Sequence, residues 1–148
     1  MKQLTLICLM AITLFSCNTK KAATNGEEFT ILAQNGYGGR DTESHELVKN
    51  EQQFLALCKE LNIETIPQVD FTKNNVVAVF MGQKRSGGYS ITVEKVVVDD
   101  NTAQVLVKNT LPEQGAMVTM ALTAPYCIAA IPKTDKVTVK ENPVLIEK

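Results

Sequence analysis

Tryptophan is absent from this sequence, aromatic residues make up only 5% of it, and histidine occurs once. The core must then be filled by Val, Ile, Leu and Met, and little aromatic surface is left to line a deep ligand pocket. An excess of one charge is missing too, with 15 basic residues against 16 acidic ones. The Lys and Arg residues are scattered with no basic arm, which argues against a nucleic-acid partner, because phosphate neutralisation needs concentrated positive charge. None of the four cysteines stands in a C-x-x-C, so redox catalysis and a zinc knuckle have no sequence basis, and no cofactor or metal is expected. Long apolar runs are absent as well. The stretch from Leu4 to Phe15, at about 1.5 Å rise per residue, falls well short of the ~30 Å hydrocarbon core of a bilayer.

That short run has a different meaning. Lys2, the apolar stretch and Leu14-Phe15-Ser16-Cys17 together resemble an export signal ending in a bacterial lipobox. Residues 1–16 are expected to be a signal peptide, and Cys17 to be acylated and become the new N-terminus. Residues 17–26 are polar and small, and read as a flexible tether, with the domain spanning 27–148. The expected location is the cell envelope, lipid-anchored, with Asn18 rather than Asp after the cysteine leaning toward the outer membrane and a periplasm-facing domain. Cys58 and Cys127 remain in an oxidising compartment, where they either form a disulfide or serve separately as small buried hydrophobes.

Phe29–Gln34 and Ser44–Lys49 read as short strands. Asn50 is placed to cap a helix from Glu51 to Leu61, whose apolar face carries Phe54, Leu57, Cys58 and Leu61 at i, i+3, i+4 and i+7. From there the pattern is β. Val76–Gly82 is a nearly continuous apolar run, as a central strand requires. Tyr89–Val98 alternates, with Tyr89, Ile91, Val93 and Val97 expected on one face, and turns at Asp99-Asp100-Asn101 into a strand around Val105 and Val107. Ala116–Thr123, Tyr126–Ile131 and Val137–Val139 are expected to complete three sequential hairpins. The fold class is α+β: mainly antiparallel sheet, either curved over the early helix or arranged as two small sheets.

Three loops carry candidate sites. Lys84-Arg85-Ser86-Gly87-Gly88-Tyr89 sets a basic pair beside an aromatic on a glycine-rich turn, a combination that suits partner contact or plain turn geometry. Thr123-Ala124-Pro125-Tyr126 either forms a rim beside it or places Tyr126 as a cap on the core. Gly36-Tyr37-Gly38-Gly39 echoes loops of some cysteine-protease inhibitors without their companion loops. Met117 and Met120 fall on opposite faces of the expected strand, leaving one of them exposed. His45 has Ser86, Ser90, Asp70 and Asp99 as conceivable triad partners, but no G-x-S-x-G elbow supports catalysis.

Val69-Asp70-Phe71, Val76–Phe80, Gly87-Gly88-Tyr89-Ser90-Ile91 and Leu122-Thr123-Ala124-Pro125-Tyr126 resemble, in order and spacing, the C-terminal domain of PrcB-type protease complex subunits. The resemblance runs from about Phe29 to Val139 and makes 27–148 a PrcB C-terminal-like domain. It implies an exported lipoprotein acting as an accessory, non-proteolytic component of a cell-envelope protease complex. The partner would be a protein, with Arg85, Gly87, Gly88, Tyr89 and Tyr126 as contact residues and no catalytic residue. The competing readings are an envelope hydrolase using His45 and a small-ligand-binding lipoprotein.

Overall fold

Why two strands of this chain are apolar throughout while their neighbours alternate is explained by layering. The computed structural model describes residues 26–142, so the signal segment, Cys17 and the tether through residue 25 lie outside the described residues. Within them the chain runs β1 (Thr30–Asn35), β2 (Ser44–Val48), α1 (Glu51–Glu60), β3 (Asn74–Phe80), β4 (Ser90–Asp99), β5 (Thr102–Thr110), β6 (Tyr126–Pro132) and β7 (Lys136–Asn142). A four-stranded antiparallel sheet, β1-β6-β3-β2, forms the middle layer, and a three-stranded sheet, β4-β5-β7, covers one of its faces. The helix covers the other. Val77, Val79, Cys127, Ala129 and Ile131 point toward the second sheet and meet Ile91, Val93, Val96, Val105 and Val107. Val76, Ala78, Phe80, Tyr126 and Ile128 point the opposite way and meet Phe54, Leu57, Cys58 and Leu61 of α1. Because β3 and β6 are buried on both faces, neither has a polar side. The fold is thus α+β, with both expected arrangements realised at once.

Helix ends follow from local chemistry. The Asn50 side chain accepts from Gln53 N at 2.9 Å, and Gln53 Oε1 accepts from Lys49 N at 3.0 Å, satisfying donors that the first turn leaves free. At the other end Asn62 enters the left-handed region at φ 53. Asn62 N donates to Lys59 O and Ile63 N to Cys58 O, a Schellman closure in which asparagine takes the usual glycine position.

Several expectations on the strands are corrected. Among the described residues only β4 and β5 form a hairpin, through Asp100 and Asn101 at φ 41 and 63, the twist that a two-residue turn needs. β3 does not turn back on β4; it pairs with β2 and β6, and the chain from Met81 to Tyr89 crosses to the other sheet. β7 likewise crosses over and pairs parallel to β5. A bulge between Val93 and Lys95 shifts the phase of β4 by one residue, so Val96 is buried and Val97, expected inward, is exposed. Residues 116–123 are not a strand: apart from a single bridge between Lys84 and Thr123, they form an open connection.

The cysteines do not pair. Cys58 lies in the helix-side cluster and Cys127 in the cluster between the sheets, both as free buried thiols, so the disulfide alternative is corrected. Burial pushes both thiols up, Cys127 less than burial alone would because Val93 backbone and Thr92 side-chain hydrogen bonds oppose it. A thiolate is the reactive form, so neither should react in the folded protein. Alkylation followed by peptide mapping is expected to modify both sites only when denaturant unfolds the chain, and labelling of either under native conditions would contradict their packing.

Candidate interaction site at one pole

Strand directions place one set of connections at the same end of the molecule. β1 ends there at Asn35, β3 at Phe80 and β5 at Thr110, while β4 and β6 begin there at Ser90 and Tyr126. The connections 36–43, 81–89 and 111–125 therefore form one pole. Hydrogen bonds join them: Gly39 N donates to Ala124 O at 2.9 Å, Ala124 N to Gly36 O at 3.2 Å, and Gly87 N to Thr119 O at 2.9 Å. Lys84 and Thr123 exchange backbone bonds at 2.7 and 3.0 Å, and Thr123 Oγ1 donates to Ser86 O at 2.8 Å. Three motifs far apart in sequence thus become a single surface.

Glycine is required at two points of the joint. A Cβ on Gly39 would stand 2.5 Å from Ala124 O, a backbone atom that has no way to yield. Gly88 adopts φ 87, and a Cβ there would meet Pro112 Cβ at 2.8 Å. Close approach of two loops, rather than recognition of a partner, accounts for these residues.

The expected contact residues divide. Arg85 and Gly88 are exposed, whereas Gly87 is buried against Thr119. Tyr89 is half-buried and packs on the cluster between the sheets. Tyr126 is corrected: it is only 4% exposed, with its ring 6.4 Å from Phe80 in the helix-side cluster, so it caps the core and offers nothing to a partner. Burial raises its phenol above the ordinary range.

What sequence reading missed is the apolar exposure of the 111–125 connection. Met117 and Met120 are both essentially fully exposed, at 101% and 93%, and Leu111 and Leu122 are exposed beside them. The expectation of one buried methionine failed because no strand forms to bury it. Pro112, Gly115 and Pro125 were the signal: they break any ladder in this segment. Tyr37 adds an exposed ring on the adjoining loop. Methionine is unbranched and polarizable, which suits it to an adaptable contact surface.

Arg40, in the loop after β1, braces the pole. Its guanidinium donates to Glu60 Oε1 and to Glu46 Oε2, each at 2.7 Å, and lies 4.5 Å from the centroid of the Phe80 ring. It ties the C-terminal end of α1 to β2 and to the loop. The hydrogen bond from Arg40 holds the Glu60 carboxyl below the usual carboxylate range. A carboxyl depressed in the folded state adds stability above its unfolded pKa and loses it as pH falls through the depressed value. With side-chain exposures of 31% and 46%, solvent screens the pair, leaving roughly 0.5–1 kcal/mol. Glu60→Gln is expected to lower the Tm at pH 7 by roughly 2–5 °C. That gap should close as pH falls below the usual carboxylate range and through the depressed native pKa, where the native carboxylate becomes protonated; a gap that persists in acid would show the effect is not electrostatic.

His45 is exposed on β2 and lines a cleft of about 250 Å³ with Glu43, Ser44 and Glu141. The conceivable carboxylate partners do not join it: Asp99 lies at the hairpin of the opposite pole, and Asp70 accepts from the Thr72 backbone and hydroxyl. Among the described residues no group of three or more His, Cys, Asp or Glu is placed to hold a metal ion.

Comparison with known proteins bears on the segment that carries most of this pole. Residues 75–132 match the family model described as PrcB C-terminal. That segment is similar to the PrcB C-terminal family. The match runs from β3 through β6 and contains the 81–89 and 111–125 connections whole. It is shorter than the resemblance read from sequence, leaving out β1, β2, α1 and β7. No curated protein and no solved structure matches the chain.

Proposed function

We propose that this chain is a lipid-anchored envelope protein whose PrcB-type domain serves as a non-enzymatic, protein-binding subunit of a protease complex, held by acyl chains on Cys17 and facing the periplasm from the outer membrane. The observation that carries the reading is the exposure of Met117, Met120 and Leu122 on a connection inside the PrcB C-terminal match, beside the exposed Arg85. A solvated loop with no partner seldom retains several fully exposed large apolar side chains. Acylation supplies the anchor, at about 0.8 kcal/mol for each buried methylene, and more than one chain makes it stable. The mechanism is complementarity of surfaces on a tethered domain, with no bond made or broken.

Two measurements test this. Mass spectrometry should find the mature chain beginning at acylated Cys17, and Cys17→Ser should move the protein from membranes into the soluble fraction. A tagged, lipidated chain purified from solubilised envelope should bring a protease subunit with it. A soluble, unmodified wild-type protein would refute the anchor; an anchored protein that associates with no protease subunit would refute the accessory role.

A further inference from the structure

The described chain begins far from the loop pole. Glu27 N donates to Val96 O at 2.8 Å, so the N-terminal segment joins the domain on the flank of β4, in the half nearer the Asp100-Asn101 turn. From there β1 climbs away from that turn, gaining about 17 Å at 3.3–3.4 Å per residue before the Gly36–Gly39 loop starts. Gln34 Nε2, hydrogen-bonded to Ile91 O at 2.9 Å near the top of β4, confirms the direction of travel. The loop pole and the point of attachment therefore lie at opposite ends of β1.

The span from Cys17 to Gly26 is ten residues, a length of chain that reaches at most about 33–36 Å even when fully extended. A domain of this size has a diameter of roughly 30–35 Å, so such a tether keeps the attachment flank toward the surface that holds it. Lys20 and Lys21 within it add attraction to anionic headgroups, worth about 1 kcal/mol each near a membrane.

Resting on the reading that Cys17 carries the anchor, we infer that the loop pole points away from the bilayer and that its exposed methionines dock into a protein, not into lipid. The occupant is a protein surface with an apolar depression bordered by a carboxylate. Met117, Met120 and Leu122 supply the apolar contact. Arg85, exposed and without an ion pair to any described residue, supplies a charge that the partner must answer. A carboxylate does so best, through paired hydrogen bonds to the guanidinium fork.

The test uses the full lipidated chain in vesicles of phosphatidylethanolamine and phosphatidylglycerol doped with a nitroxide-bearing lipid. Met120→Cys marks the loop pole and Lys136→Cys the opposite end; the native thiols are buried, so a bimane label goes to the new site. Severalfold stronger quenching at position 136 than at 120 is expected. Equal or stronger quenching at 120 overturns the inference, whereas failure of the wild-type chain to bind the vesicles refutes the anchor itself. In cells, a photo-crosslinking residue at position 120 should give an adduct with the same protein that co-purifies with the wild-type chain, reduced at least tenfold by Arg85→Glu. A phospholipid adduct, or a protein adduct unaffected by Arg85→Glu, overturns the assigned occupant.

Discussion

Replacing Phe80 by alanine should destabilise the domain by about 3–5 kcal/mol. Phe80 is 1% exposed at the end of β3, where its ring meets Tyr126 at 6.4 Å and carries the Arg40 guanidinium at 4.5 Å. Truncation removes the transfer free energy of the ring and leaves a void beside α1 that a sheet packed on both faces has little freedom to close. It also removes the aromatic face under Arg40, adding about 0.5–1 kcal/mol. A domain of this size is stable by only 5–15 kcal/mol or so, making the change a large share of the total. Denaturant titration is the direct measurement, with the midpoint falling and the slope unchanged. A loss below about 1 kcal/mol would mean that the helix is not fixed against the middle sheet as described.

Met117→Glu combined with Met120→Glu should do the reverse, abolishing association while leaving the fold alone. Neither side chain is buried, so stability should move by no more than about 0.5 kcal/mol for each. At an interface, two apolar anchors replaced by solvated carboxylates are expected to cost at least 2 kcal/mol, which is roughly 30-fold in Kd. Titration of the purified partner against wild-type and variant chains, beside a thermal melt of each, separates the outcomes. Unchanged affinity with an unchanged melt would remove the 111–125 connection from the interface. Truncating Tyr89 is the less informative choice, because it packs on the core and its loss would disturb both readouts.

Much of the domain was legible along the chain because local rules decide it. Asn50 and the spacing of Phe54, Leu57, Cys58 and Leu61 fixed α1 to within one residue at its end. The unbroken apolar run at Val76–Phe80 identified an interior strand, and the Asp100-Asn101 turn identified the one hairpin that forms. Failures came where a distant partner overrides a local pattern. The Val93–Lys95 bulge reverses the alternation of β4, and no periodicity in Val96-Val97-Val98 marks which valine goes in. The 116–123 segment has the residue types of a strand but is held by Gly87 and Lys84 as a loop.

The candidate site shows the same division. Its motifs were visible one by one, yet their joining depends on Gly39 meeting Ala124 across 85 positions, which is not a local event. Tyr126 and the methionines were left open for a related reason. An aromatic next to a proline reads as a rim or as a cap, and of two methionines one was expected to be exposed; only the middle sheet, by taking Tyr126 and leaving both Met117 and Met120 outside, sorted them.

By itself the sequence determined the helix and its Asn50 N-cap, the Val76–Phe80 strand as one covered on both sides, the α+β class and the family resemblance, because each rests on neighbouring residues or short periods. The crossings between sheets, the separation of Cys58 from Cys127 and the assembly of three loops into one apolar pole were decided by tertiary structure alone. Those depend on which surfaces stack, and stacking is settled by the closure of distant segments around a shared core, a condition that no local pattern encodes.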